Sequence, residues 1–248
     1  MSETAARRAV APLLAVWLFQ LAAFFTPSAT WSPMSRFGLT HAVASGEGLS
    51  LGHWAEATGD RARVGDRWYS DKAPLPGLVA ALPYLVVSAI HRLTGRSAPA
   101  FQAEARGDVP ATRVQLNTSA QQLLYASSIG VSGLSLAVLA LALHALLRRR
   151  VEERTSLVAI TLACLGTPLY AYATSFYGHV PAAALLTAAL EALDPRAPRA
   201  RLPLAGFCLG AAVGCEYLTA VPGAVLASFA VLHGPRDARA RRVSELAL

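Results

Sequence analysis

From Thr155 to Leu190 the chain runs 36 residues without a single Asp, Glu, Lys or Arg, and no other feature of the sequence constrains its fold so strongly. Such a run is far too long for the charge-dotted surface of a water-soluble helix or strand, and about 20 apolar residues of helix suffice to cross the hydrocarbon core of a bilayer. Turned near its middle at Tyr177-Gly178-His179-Val180-Pro181, the run makes a membrane hairpin with His179 at the tip. Further runs free of charge cover residues 9–35, 73–91, 114–147, 202–215 and 217–235. The whole chain is 54% hydrophobic and 15% charged, with a mean hydropathy of +0.41, which is the balance of a membrane protein.

The net charge of +7 does not point to nucleic acid. The arginines stand in short segments between apolar runs, where a membrane protein carries its orientation signal. Cys164, Cys208 and Cys215 all lie inside apolar runs without metal-ligand spacing, so they read as small hydrophobes. The first apolar run, from Ala9 to Pro27, follows Arg7 and Arg8 and lacks a small-x-small cleavage site, so it reads as a retained helix rather than a signal peptide.

Arginine clusters at Arg7 and Arg8, at Arg148 to Arg150 with Arg154, at Arg196, Arg199 and Arg201, and at Arg236, Arg239, Arg241 and Arg242 are expected to be cytoplasmic. An even number of crossings must then separate the N-terminus from Arg148. Three apolar runs compete for these crossings. Leu75 to Ile90 is the shortest, carries Pro76 and Pro83, and is flanked by Lys72 and Arg92, so residues 75–91 are placed as a helix lying in the outer leaflet. Residues 28–120 become one long non-cytoplasmic loop. The expectation is an all-α, polytopic membrane protein forming a single membrane domain over residues 1–248. About six spans are placed at 9–27, 123–147, 155–176, 179–193, 202–216 and 218–233, with the N-terminus in the cytoplasm and the chain in the inner membrane. Gly206, Gly210 and Gly214 recur every four residues, a face on which a neighbouring helix can approach closely or simply generic membrane-helix glycines.

The densest cluster of reactive side chains outside these helices is Glu56, Asp60, Asp66, Asp71 and Lys72, with Arg61, Arg63 and Arg67 and the aromatics Trp54, Trp68 and Tyr69. It ends in Trp68-Tyr69-Ser70-Asp71-Lys72-Ala73-Pro74-Leu75-Pro76-Gly77, which puts an acid and a base just before the surface helix. A Lys there lies at the level of lipid phosphates, and at an effective dielectric near 20 a phosphate about 4 Å away attracts it by about 4 kcal/mol.

Ser35-Arg36-Phe37, Ser45-Gly46-Glu47-Gly48, Thr58-Gly59-Asp60-Arg61-Ala62 and Tyr69-Ser70-Asp71-Lys72-Ala73-Pro74 together resemble the first outer loop of GT-C membrane glycosyltransferases. The similarity is to bacterial relatives of the protein O-mannosyltransferases and aminoarabinose transferases. Gly166-Thr167-Pro168-Leu169-Tyr170, Phe176-Tyr177-Gly178-His179, Gly206 to Gly214 and Glu216-Tyr217 look like the same group, so the resemblance spans nearly the whole chain, as a complete or truncated member. It implies transfer of a sugar from a polyprenyl-phosphate carrier to an acceptor, whose identity it leaves unknown, outside the cytoplasm. Asp71-Lys72-Ala73-Pro74 matches the family's acid-Lys-Pro-Pro-like motif with Ala for the first Pro, and so implies that Lys72 meets the carrier phosphate.

Where the family carries an early acidic pair this chain has Ser35-Arg36, so the catalytic carboxylate is assigned instead to Asp60, with Asp71 second. Such a base takes the proton from the acceptor hydroxyl. Arg36 or Arg67 is the expected helper of Lys72 at the phosphate. His179 stands where the family often has an Asp. It reads as a structural hydrogen-bonder, with metal ligand or proton carrier as the alternatives. No cofactor is assigned, a divalent metal being the one candidate. The partners expected are the lipid-linked sugar and membrane lipid. The rival readings are a multi-span transporter, which the scarcity of ionisable groups in the spans disfavours, and a non-catalytic scaffold or fragment of a transferase.

Overall fold

The computed structural model describes residues 3–103, 114–194, 201–232 and 239–247. Among these residues the protein is mostly helical: α1 (Glu3–Ala23), α2 (Trp31–Ala44), α3 (Leu75–Leu93), α4 (Thr118–Ser128), α5 (Leu134–Leu147), α6 (Glu153–Leu165), α7 (Leu169–Ala173), α8 (His179–Leu193), α9 (Leu202–Cys215), α10 (Ala220–Leu232) and α11 (Arg239–Ala247). Two short antiparallel strand pairs accompany them, the hairpin β1 (Arg61–Val64) with β2 (Arg67–Ser70) and the pair β3 (Phe101–Ala103) with β4 (Val114–Leu116). The chain divides into two compact units. One comprises Ala22–Leu134 and Ala171–Gly178, the other Met1–Leu21, Ser135–Tyr170 and His179–Leu248.

The first unit is built around α2, a helix inside the segment that the sequence reads as loop. Met34 and Phe37 of α2, Trp54, Tyr84 of α3, Leu123 and Leu124 of α4, and Phe176 form its core. Phe37 meets Trp54 edge to face at 5.0 Å. α2 and α3 approach closely at Gly77, where a Cβ would lie 2.9 Å from the Leu39 side chain and 3.3 Å from the Arg36 carbonyl oxygen. The Thr40 hydroxyl secures this crossing by donating to Gly77 O at 2.9 Å.

α3 starts on Pro74 and runs 19 residues, past the expected end at residue 91, even with Pro83 inside it. The Pro83 ring packs on Gly130, within a π-helical turn at Ile129–Gly133, where any Cβ would meet it at 2.7 Å. One face of α3 buries Gly77, Ala80, Ala81 and Tyr84. The other leaves Leu78, Val79, Leu82, Leu85, Val86, Ile90 and Leu93 exposed, a wholly apolar stripe at helical spacing. Leu75–Leu93 and the continuous helical stretch Thr118–Leu147 are, among the described residues, the two helices long and apolar enough to cross a membrane. α3, which the parity argument lays on the surface, is therefore one of these two.

In the second unit α8, α9 and α10 share a core of small and branched residues, with Ala189, Cys208 and Leu209 buried against Leu185, Leu186 and Leu226. Of the glycine face, Gly206 seats the backbone carbonyl of Leu246 against α9, whereas nothing lies within 4 Å of a Cβ at Gly210. Arg149, Arg150 and Arg201 are not bare charges. Arg149 donates to Glu191 at 2.5 Å and to Asp194 at 3.3 Å, Arg150 binds both oxygens of Asp194 at 3.0 Å, and Arg201 pairs with Glu191. The Asp194 side chain is 0% exposed. Arg196, Arg199 and Arg236, and the side chains of Arg7, Arg8, Arg239 and Arg241, lie outside the described residues.

Several expected span limits shift, each for a local reason. Residues 155–176 are not one helix, because α6 ends at Leu165 and Gly166-Thr167-Pro168 separates it from α7; Pro168 has no N–H to continue the ladder. The helix expected from residue 123 begins at Thr118, where Asn117 caps it by accepting from Ala120 N at 2.9 Å. α1 ends at Ala23 rather than 27, and Tyr217–Thr219 form a 3-10 turn before α10. α8 and α9 lie where expected, at His179–Leu193 and Leu202–Cys215.

Candidate functional site

The β1–β2 hairpin decides which of the reactive side chains meet. Val64 pairs with Arg67 at its tip and Arg61 with Ser70 at its base. Gly65, in the turn, has φ +61, a left-handed conformation that glycine adopts without penalty. Asp60 precedes the base on one strand, and Asp71 and Lys72 follow it on the other. Folding the hairpin therefore sets Lys72 Nζ 3.0 Å from Asp60 Oδ2 and 3.4 Å from Asp71 Oδ1. One ammonium thus faces two carboxylates, with the Lys72 and Asp60 side chains 26% and 25% exposed, respectively.

Two serine hydroxyls tie this cluster to α2. Ser35 Oγ lies 2.6 Å from Asp60 O, to which it donates, and 2.7 Å from Ser70 Oγ, which in turn accepts from the backbone N–H of Lys72 at 3.2 Å. The Thr58 hydroxyl holds the other side of the loop, donating to Trp31 O at 2.7 Å and accepting from Asp60 N at 3.0 Å. Pro74 and Pro76 then fix the start of α3 directly after Lys72.

Asp60 opens onto a surface cavity of ≈ 380 Å³ that is lined by Thr30, Trp31, Ser32, Asp60 and Tyr177. Arg36, expected as a cation of the site, is only 2% exposed and is not among the lining residues. Its guanidinium donates to Ser32 Oγ at 2.5 Å, so it acts on the cavity from behind. Arg67 is not brought to the cluster. It is exposed at the hairpin tip, about 10 Å from Ser70 at ~3.3 Å per strand residue. The nearer arginine, Arg61, stacks on Trp68 at 4.3 Å and donates to Ala55 O at 2.5 Å.

His179 belongs to the second unit, at the first position of α8, where its Nδ1 lies 3.2 Å from Glu216 Oε2 after α9. Among the described residues no group of three or more His, Cys, Asp or Glu could hold a metal ion, so the metal reading of His179 lacks a ligand set there.

Sequence reasoning missed Ser35, Ser70, Trp31 and Tyr177. A signal for the first two was present, since Val64-Gly65-Asp66-Arg67 between alternating polar and apolar residues is a tight-hairpin pattern that places Asp60 opposite Asp71 and Lys72. No protein-family model matches this sequence, no curated protein matches it, and no solved structure matches its fold.

Proposed function

We propose that the protein is a polytopic membrane glycosyltransferase that moves a sugar from a polyprenyl-phosphate carrier to an acceptor on the non-cytoplasmic side. The observation that carries this reading is the position of Lys72: an ammonium at the junction between a polar hairpin and an apolar helix, 3.0 Å from a carboxylate that borders a cavity. The exposed apolar stripe of α3 offers the isoprenoid chain a surface beginning only a few residues from that ammonium. The residues that resemble the GT-C outer loop, Asp71-Lys72-Ala73-Pro74 above all, support the same assignment.

In this reading the carrier phosphate takes the place of one carboxylate on Lys72. Asp60 then accepts the proton of the acceptor hydroxyl as that oxygen bonds to the sugar's anomeric carbon. The bond from the anomeric carbon to the phosphate oxygen breaks, and the polyprenyl phosphate leaves with its charge held by Lys72. Asp71 keeps Lys72 in place throughout. Arg36 contributes through Ser32, not by contact with the phosphate.

The test is transfer of radiolabelled sugar from synthetic polyprenyl-phosphate donors by protein reconstituted in nanodiscs. Transfer by wild type and its loss in Asp60→Asn support the reading, and full activity in Asp60→Asn removes Asp60 as the base.

A transporter is the second reading, and one observation favours it. His179 Nδ1 and Glu216 Oε2 lie 3.2 Å apart at the ends of apolar helices, a pairing of ionisable groups of the kind that marks transport pathways. Solute or proton flux in liposomes that is lost in Glu216→Gln would establish it.

A further inference from the structure

The transfer reading makes no use of the aromatic wall of the cavity beside Asp60. The geometry points to this cavity as a pyranose subsite, with the Trp31 indole as stacking platform and Asp60, Thr30, Ser32 and Tyr177 as partners for the ring hydroxyls. This inference rests on the glycosyltransferase reading for its place in the reaction, but not for the binding itself.

A pyranose presents two chemistries at once, a face of C–H groups and a rim of hydroxyls. An aromatic face, negative at its centre, receives the C–H groups, and a carboxylate receives hydroxyl protons in charge-assisted hydrogen bonds. The residues that line the cavity carry one indole, one carboxylate and three hydroxyls. Its ≈ 380 Å³ falls within the range of small-molecule sites, about 300–1,000 Å³.

The platform is built rather than incidental. Trp31 is the first residue of α2, and the residue remains 39% exposed. Its plane is set by Gly59, where a Cβ would come within 2.7, 2.8 and 2.9 Å of ring atoms Cε3, Cζ3 and Cδ2, so the indole lies directly on the peptide backbone there. The adjoining Thr58 hydroxyl clamps Trp31 O, and the adjoining Asp60 N–H returns to that same hydroxyl. The ring is therefore packed against the short loop that carries the carboxylate, in fixed relation to it, as a preorganised site requires. Tyr177 and Thr30 also line the cavity, their hydroxyl oxygens 3.5 Å apart.

The test is saturation-transfer NMR on the full chain in nanodiscs, with methyl α-mannopyranoside, methyl α-glucopyranoside and methyl α-galactopyranoside as probes. At least one glycoside should receive saturation at its ring C–H protons. Trp31→Ala should weaken its binding about tenfold, and Trp31→Phe by less, because an aromatic face persists. Gly59→Ala should weaken it by displacing the indole. Should Trp31→Ala fail to fold, Tyr177→Phe decides, weakened binding supporting the subsite and unchanged binding overturning it. An indole that merely anchors the chain at a membrane surface would leave glycoside binding in folded Trp31→Ala unaltered, and that result overturns the proposal, as does the absence of binding by wild type. Binding and transfer are scored separately. Glycoside binding by a protein that transfers nothing defeats the transferase reading alone, and transfer with undiminished binding in Trp31→Ala defeats the subsite alone.

Discussion

The Lys72 ammonium lies 3.0 Å from Asp60 Oδ2, the two residues meeting at the base of one β-hairpin from its two strands. Because both side chains are about a quarter exposed, the pair contributes at most about 1 kcal/mol to stability. Lys72→Ala should therefore abolish sugar transfer while leaving thermal unfolding and membrane insertion nearly unchanged. Lys72→Arg should retain only partial transfer, since a planar fork does not replace a compact ammonium between two carboxylates. Normal transfer by Lys72→Ala would remove the phosphate role.

The opposite energetic case is Asp194. Its carboxylate is fully buried and holds two arginines. Removing it in Asp194→Ala leaves those guanidinium groups without this counter-charge, at a cost of about 3 kcal/mol. Thermal unfolding in detergent should show a marked loss of stability, with glycoside binding unchanged in the protein that stays folded. A shift no larger than that of Lys72→Ala would show that the Asp194 pairs add little to the hold that Glu191 already has on Arg149.

Acid should loosen the first unit through His41. Burial holds this imidazole below its ordinary value of 6.5, with Glu47 opposing the shift and His53 adding to it. His41 Nδ1 lies 2.7 Å from Tyr84 Oη, joining α2 to α3. A base whose folded pKa is depressed stabilises the fold fully above its unfolded value, and that contribution falls away as pH drops below about 6.5 toward the folded value. Unfolding midpoints at pH 7.5 and pH 5 should differ more for wild type than for His41→Asn. Equal differences would place the acid sensitivity elsewhere.

The orientation of α3 separates two topologies. If it lies along the outer surface, Asp66→Cys before it and Ser97→Cys after it both react with an impermeant thiol reagent in intact cells. Both native positions are exposed, and Cys164, Cys208 and Cys215 are buried, so background labelling is low. Reaction at one position without the other would show that α3 crosses.

The parts of this fold that were legible in the sequence are those written in hydropathy. The apolar runs placed α8 and α9 to within a residue, because each is bounded by charge or by glycine and proline. α2 was not marked by the same reasoning because its apolar residues, Met34, Phe37 and Leu39, are interleaved with polar ones that are also buried. Ser35, Arg36 and Thr40 are all buried in it, donating to Asp60 O, Ser32 Oγ and Gly77 O, respectively. Such a helix looks like loop until its partners are known. At the candidate site, Asp60, Asp71 and Lys72 were named from residue type and converge as a cluster, whereas Arg36 and Arg67 were named for charge alone. Burial removes the first from the cavity lining, and strand geometry carries the second away. Trp31 and Tyr177, far apart in the chain, carry no mark that would have joined them.

The register of the β1–β2 hairpin also sets how this protein tolerates insertion and deletion. Asp60 and Lys72 flank the base pair Arg61–Ser70, so residues added beyond Val64 and Arg67 lengthen the tip without disturbing them. A single residue lost inside either strand turns every following side chain to the other face and carries Lys72 away from Asp60. The tip is thus the natural place to graft an epitope or a fluorophore, and the strands are where a frame-preserving deletion of one codon is lethal to the site.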